Sequence, residues 1–300
     1  MNQETANDAI RSETSVLFSL PIDREFQFSN HKGIYKKGIE KRQSKLLKKI
    51  AFIKPFLRPD EKILLVTTGV SPISILEQIF TGWIVFYLKR SIFVLTNRRI
   101  FHIPTTMGYS YRNTVAQIVF ADCDIIQVRG RGLVVKYKSG HEERFLFIPR
   151  RERKKIKTWL SSTALHGEPS KAGQRGHLCP RCTNELENNQ FSCPNCRLEF
   201  KTQAQALKLS LLFPGGGYFY TRHPVLGLGD AFVEGFLLIV VIGSMIDMIN
   251  GVEGGGFGVV FFGIILVMEK ALTVYHAHHF VREYIPVDKE IRPLAGGVPA

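Results

Sequence analysis

The chain carries 40 Lys and Arg residues and a net charge of +14, yet none of those cations falls between Val225 and Glu269. Such a gap needs a physical cause. A Lys or Arg at the centre of a bilayer costs ~2.5–3.5 kcal/mol, so chains keep cations out of segments that water does not reach. Within the gap, Val225–Ile246 holds only Asp230 and Glu234 as charges, and Gly254–Met268 holds none. Apolar character resumes after Glu269-Lys270 and runs through Tyr275. A membrane span takes ~20 mostly apolar residues. Two spans are predicted, at about 225–247 and 254–275. Uncharged runs also suit the core helices of a soluble domain, which is the alternative. The connecting Asp247–Gly256 contains Asp247, Glu253 and no cation, whereas Lys201, Lys208 and Arg222 flank one side and Arg282, Lys289 and Arg292 the other. By the positive-inside rule both flanks are expected in the cytoplasm. The first 30 residues lack the apolar core of a signal peptide, so the first span is expected to direct insertion.

Four cysteines form two complete C-x-x-C pairs, Cys179-Pro-Arg-Cys182 and Cys193-Pro-Asn-Cys196. Each pair can present two thiolates from one tight turn. Two facing turns make a closed tetrahedral site of the kind structural Zn²⁺ prefers. Redox dithiols or disulfides are the alternative, and a cytoplasmic setting favours thiolate–metal chemistry. A closed four-thiolate site has no open position, which argues for architecture over zinc catalysis. The segment resembles the zinc-ribbon family over about 177–200.

Between these features, Ala206–Phe213 is apolar but too short to span and ends at Pro214-Gly215-Gly216-Gly217. Lys208 and Arg222 bracket it, so an interfacial or half-inserted helix is expected, with Tyr218, Phe219 and Tyr220 at headgroup depth. The pattern Leu-Phe-Pro-Gly-x-Gly-x-x-Tyr before two spans resembles a family of small two-helix membrane domains, over about 204–285. Gly216 and Tyr218 depart from that family's usual residues. The resemblance implies topology more than function. With the hairpin turn centred near Asn250, Asp230 lies level with Lys270 and Glu234 about one turn away. Lys270 is therefore expected to pair with Asp230 or Glu234 across the two helices. Glu269, His276, His279 and Glu283 share a face of the second span, with His278 beside them. Such groups can bind metal or relay protons, and polar residues are also ordinary at a span's end.

The N-terminal half is polar and basic. Residues 1–30 read as a disordered tail. From His31 to Arg58 there are ten cations and one acid, Glu40. Ile39, Leu46, Leu47, Ile50 and Ile53 recur there at helical spacing, with Lys41, Arg42, Lys45, Lys48 and Lys49 around them. Residues 31–56 are thus a predicted basic amphipathic helix. It suits contact with anionic headgroups or phosphate, or packing on a neighbouring domain with a solvated basic face.

Beyond it, short apolar runs separated by turn residues predict strands at Lys62–Thr68, Trp83–Leu88, Ile92–Thr96, Arg99–Ile103, Val115–Phe120, Ile125–Val128, Leu133–Tyr137 and Glu142–Phe147. A helix is predicted over Arg150–Leu165, with Ile156, Trp159 and Leu160 on one face. Phe93-Val94-Leu95-Thr96-Asn97-Arg98-Arg99-Ile100 and Leu57-Arg58-Pro59-Asp60-Glu61-Lys62-Ile63-Leu64 resemble bacterial pleckstrin-homology-like and GRAM-type domains. The resemblance implies a β-rich barrel with a C-terminal helix over about 57–166. Phosphoinositide-binding members use a basic cluster between the first two strands. Here Gly69–Gly82 holds Glu77 and no cation. Lys89, Arg90, Arg98, Arg99, Arg129 and Arg131 are turn cations that either face phosphate or form a solvated rim. Cys123 reads as a small buried apolar residue.

The chain is thus read as a multidomain membrane protein. A pleckstrin-homology-like barrel is followed by a 167–176 linker, a Cys₄ zinc ribbon, a C-terminal transmembrane helical hairpin and a 286–300 cytoplasmic tail. No Gly-rich phosphate loop precedes a Lys-Ser/Thr, and no Gly-x-Ser-x-Gly occurs. The expected role is a non-enzymatic binding or scaffold module of a bacterial inner membrane. Its expected partners are lipid headgroups and an unidentified protein. A transporter, channel or enzyme subunit using the intramembrane acids and histidines is the alternative. Nucleic acid fits less well, because aromatic–basic interleaving is absent.

Overall fold

The structure, a computed structural model, describes residues 20–162, 167–288 and 291. It divides into two compact units, Met1–Leu198 with Glu290–Ala300 and Glu199–Lys289.

The first unit opens differently from expectation. Residues 1–19 of the expected tail lie outside the described residues, but 20–30 are ordered. Helix α1 (Arg24–Phe28) starts where the Asp23 carboxylate accepts from the Phe26 N–H. Leu20 and Phe28 enter the core, and Ile22 bridges to Ile63. Two apolar anchors and a cap hold this segment; its high polarity concealed them. Helix α2 (Lys37–Lys49) then runs into a 3₁₀ turn over Ala51–Phe56. Its apolar stripe, Ile39, Leu47 and Ile50, continues into Ile53, and all four are buried.

Strand β1 (Ile63–Val70) connects through helices α3 (Ile75–Thr81) and α4 (Val85–Leu88) to β2 (Arg90–Thr96). Trp83–Leu88 is thus helical and not a strand. A short apolar run bears no periodicity that separates the two states. Here β1 pairs with residues 90–96, which leaves this run outside the ladder. Strands β3 (Arg99–Pro104), β4 (Val115–Val119), β5 (Cys123–Arg129), β6 (Gly132–Tyr137) and β7 (Glu142–Phe145) follow, then helix α5 (Arg150–Ser162) and short strands β8 (Gly176–Leu178) and β9 (Glu185–Leu186). They form two antiparallel sheets, ordered β1-β2-β3-β4-β8-β9 and β5-β6-β7. Val70 and Leu146 exchange backbone hydrogen bonds of 2.9 and 3.0 Å, joining the ends of β1 and β7.

The larger sheet is covered on both faces. Ile92 and Val94 pack with Leu47, Ile50 and Phe101 on one side. Phe93 and Leu95 pack with Phe120, Phe145 and Ile156 on the other. Alternate side chains of a strand point to opposite faces, so a strand covered twice reads as a continuous apolar run. Two of the turn cations point inward. Arg99 is buried and forms a two-point pair with Glu61, through Nε at 3.0 Å and Nη2 at 2.8 Å, and also donates to Phe56 O. Lys89 is buried 2.8 Å from Glu77. Neither is available to phosphate.

The 167–176 linker is tied to the sheet. Ser170 donates its N–H and hydroxyl to the buried Asp122 carboxylate, and Gly176 begins β8, which pairs with Val115–Gln117 of β4. The cysteine segment is therefore mounted on the sheet edge by backbone hydrogen bonds.

The second unit comprises helices α6 (Gln203–Leu212), α7 (Gly216–Tyr220), α8 (Pro224–Ile249) and α9 (Gly255–Val281). Helices α8 and α9 form a hairpin of mean hydropathy 2.2 and 2.0, long and apolar enough to cross a membrane. Phe232, Ile249, Phe257 and Val267 are each 69–78% exposed on its outside. Helix α6 packs on α9 through Ala206, Ala277 and Val281. Gly217 permits this closeness: a Cβ there would run into the Ser210 hydroxyl and the Ala277 methyl. The start and end of the unit are joined by Lys201 N–H to Ile285 O (2.9 Å) and Val287 N–H to Glu199 O (3.0 Å). Tyr218 is not at a lipid-facing position. It is buried, its hydroxyl 2.5 Å from His276 Nδ1, while Phe219 stays exposed.

Glu61→Gln leaves the Arg99 guanidinium buried beside a neutral partner. Loss of one member of a buried pair costs about 3–5 kcal/mol. Trp83 and Trp159 both lie in the first unit, so tryptophan fluorescence during denaturation of the detergent-solubilised chain reads this loss. Unchanged stability would contradict the assigned pair.

Candidate metal centre and the charged cluster of the hairpin

The two C-x-x-C turns are built alike. Cys179 N–H donates to Asn184 O (2.8 Å) and Thr183 N–H returns to Cys179 O (2.9 Å). Fourteen residues later, Cys193 N–H donates to Leu198 O and Arg197 N–H returns to Cys193 O, each at 2.9 Å. Thr183 and Arg197 take left-handed φ values of +62° and +55°, which curl the chain back over each pair. Cys179 Sγ lies 3.5 Å from Cys196 Sγ, and Cys182 Sγ lies 3.5 Å from Cys193 Sγ. One sulfur from each cysteine lies within 4.8 Å of the others. Four thiolates at ~2.3 Å around a tetrahedral ion stand about 3.8 Å apart, so the group could hold a metal ion with little movement. Three of the four are buried and none is in a disulfide. Cys123, the fifth cysteine, is buried in a strand, and burial pushes its thiol up to about 12. It packs in the core with Phe120, Ile126 and Tyr137.

In the hairpin, Lys270 Nζ lies 2.7 Å from Glu234 Oε2. Asp230 instead takes the Thr273 hydroxyl, 3.0 Å from both carboxylate oxygens. Asp230 is therefore not the partner of Lys270, though it was expected level with it. The hairpin closes between Ile249 and Gly255, so its centre falls near Val252 and not Asn250. That displacement brings Glu234 to Lys270. The ammonium also donates to Ser210 O at 2.8 Å, and Glu234 Oε2 accepts from Gly215 N–H at 3.2 Å. One carboxylate oxygen from each of Asp230, Glu234 and Glu269 lies within 4.8 Å of the others. The histidines do not join them: His276 bonds Tyr218, and His279 faces the Phe280 ring edge-on.

No model of a known protein family matches this chain. Curated proteins and solved structures likewise give no match. The arrangement of its own residues therefore carries the functional argument.

Of the five basic residues expected to meet headgroups, Lys41, Lys45, Lys48 and Lys49 are exposed on α2. Lys49 leans on the loop beyond β3, donating to Gly108 O at 2.6 Å. Arg42 turns inward to Glu152 at 2.5 Å. Beside it, α2 and α5 frame a cleft of about 220 Å³ whose lining includes His31, Lys36, Arg42, Arg151, Glu152 and Lys155. Lys155 donates to Phe26 O and Ser29 O, and burial lowers its ammonium to about 8. The sequence signal for Arg151 and Lys155 was the basic stretch opening α5. Nothing in it indicated that α5 would face α2.

Replacing any one of Cys179, Cys182, Cys193 or Cys196 by Ser should remove about one equivalent of bound metal per chain, measured by elemental analysis. A fully folded wild-type chain without that metal would contradict the site. For the hairpin, Lys270→Met and Glu234→Gln should each destabilise, and the double change should recover ~0.5–3 kcal/mol relative to their sum. Circular dichroism during SDS denaturation measures it. Simple additivity would exclude the pair.

Proposed function

We propose that this chain is a non-enzymatic, membrane-tethered binding or scaffold protein of a bacterial inner membrane. The observation that carries the reading is the outward surface of the hairpin. Two helices of 26 and 27 residues turn large apolar side chains outward and bury Asp230 and Glu234 between them and their neighbours. An amphipathic helix of a soluble protein does the reverse. The basic flanks support an orientation with both termini in the cytoplasm and the Asp247–Gly256 turn outside.

On this reading the first unit is the binding module. Four strands β1–β4, three strands β5–β7, the Val70–Leu146 closure and the following α5 support a pleckstrin-homology-like barrel. The cysteine group is a structural zinc ribbon extending its edge, and a reducing cytoplasm favours the metal over disulfides. The ligand surface is the basic side of α2. Its apolar stripe belongs to the protein's own core, so the helix cannot insert as a free amphipathic segment. Lys41, Lys45 and Lys48 remain to meet anionic headgroups, each worth ~1 kcal/mol near a charged leaflet.

A transport role is the second reading. It is favoured by Glu234 Oε1, buried in the hairpin without a hydrogen-bond partner. Ion flux through reconstituted vesicles separates the two: a passive scaffold gives none.

Lysine-directed chemical footprinting of the full chain in nanodiscs tests the binding surface. Labelling of Lys41, Lys45 and Lys48 should fall in anionic relative to neutral lipid, and the difference should shrink with salt. Equal labelling in both lipids would contradict this surface.

A further inference from the structure

We propose that the carboxylates of Asp230, Glu234 and Glu269 form a binding site for one hard divalent cation within the helical hairpin. The three come from two helices. Asp230 and Glu234 lie one turn apart on α8, and Glu269 reaches them from α9. One oxygen of each lies within 4.8 Å of the other two, a spacing that a single ion can bridge.

The decisive observation is what remains open. Glu234 is fully buried. Its Oε2 is engaged by Lys270 and the Gly215 N–H, but its Oε1 has no partner. Glu269 Oε2 is also buried and unpartnered. Carboxylate oxygens removed from water without a donor are costly, and native structures rarely keep them so. The Thr273 hydroxyl lies 3.0 Å from Asp230 Oδ1 and 3.2 Å from Glu269 O, so its one proton is shared between these acceptors. A hydroxyl of this kind orients a ligand carboxylate without displacing an ion from it.

Charge points the same way. With all three carboxylates ionised, they and the Lys270 ammonium carry two negative charges in excess, in a setting where uncompensated charge is expensive. One divalent ion removes that excess. The donors are all oxygens, the set that selects Mg²⁺, Ca²⁺ or Mn²⁺ over thiophilic metals. The chain would thus hold two chemically distinct metals, one among thiolates and one among carboxylates. Mg²⁺ usually keeps several waters, so three carboxylate ligands need not fill its coordination shell. The inference is independent of the scaffold reading.

Mn²⁺ is the probe. The full chain with its thiolate metal, in nanodiscs of neutral phosphatidylcholine, is titrated with Mn²⁺ and free ion is followed by electron paramagnetic resonance. One equivalent should bind and be displaced by Mg²⁺ or Ca²⁺. Glu269→Gln and Asp230→Asn, which spare the Lys270 pair, should each weaken binding at least tenfold, while Lys41→Ala should not. Should those variants fail to fold, the wild-type chain still decides. Fe²⁺ loaded in place of Mn²⁺ and exposed to peroxide should cut the backbone near 230–234 and 269–273. Absence of a saturable Mn²⁺ equivalent, binding that survives both substitutions, or no cutting at those positions would overturn the proposal. A chain that takes no Mn²⁺ but changes its melting temperature with pH in a Glu269-dependent way would assign the cluster to protons instead.

Discussion

Lys270 holds the second unit together. Its ammonium reaches the Glu234 carboxylate of α8 at 2.7 Å and the Ser210 carbonyl near the end of α6 at 2.8 Å, while its backbone belongs to α9. One side chain therefore joins three helices. The carbonyls it meets are among those a helix leaves unsatisfied at its C-terminus, and in an apolar setting they need a donor. The same contact sets the register of the hairpin. With Glu234 opposite Lys270, Asp230 falls beside Thr273, and the carboxylates gather at one level. Gly215 and Gly217 let the α6–α7 corner press close enough for these bonds. An apolar exterior and a polar interior are thus two consequences of one arrangement.

The first unit follows a different logic, in which basic surface is separated from apolar burial within single helices. Helix α2 buries Ile39, Leu47 and Ile50 against a sheet covered on both faces and leaves lysines outside. Helix α5 buries Ile156 and offers Arg151 and Lys155 to the cleft facing α2. Buried charges are spent on closure: Arg99 with Glu61, Lys89 with Glu77. The paired cysteine turns continue this construction. Through β8 they cover the open edge of β4, an edge that would otherwise expose unpaired backbone groups.

Much of this was legible in the chain. Short apolar runs bounded by turn residues marked β1 to β7. The cation-free stretch marked the hairpin, and the cysteine spacing marked the four-cysteine group. The cost of an isolated intramembrane Lys pointed to a partner among Asp230 and Glu234. What escaped was set by tertiary contact. Residues 20–30 looked too polar to fold, yet two apolar anchors hold them. Trp83–Leu88 had no periodicity to declare its state. The 167–176 segment joined the sheet through backbone bonds to which composition is blind. Arg42 and Arg99 read as surface cations because their acids, Glu152 and Glu61, lie far away or on another element. Tyr218 looked like an interfacial aromatic until His276 gave its hydroxyl a partner.

On the proposed topology the hairpin crosses a bilayer, with the first unit on one side and the turn on the other. Single cysteines at Lys138 and at Asn250, both exposed, test it in a Cys123→Ala background with the metal group intact. In sealed vesicles of defined orientation, a membrane-impermeant maleimide should label Lys138→Cys from the cytoplasmic face only and Asn250→Cys from the opposite face only. Labelling of both positions from the same face would contradict this topology.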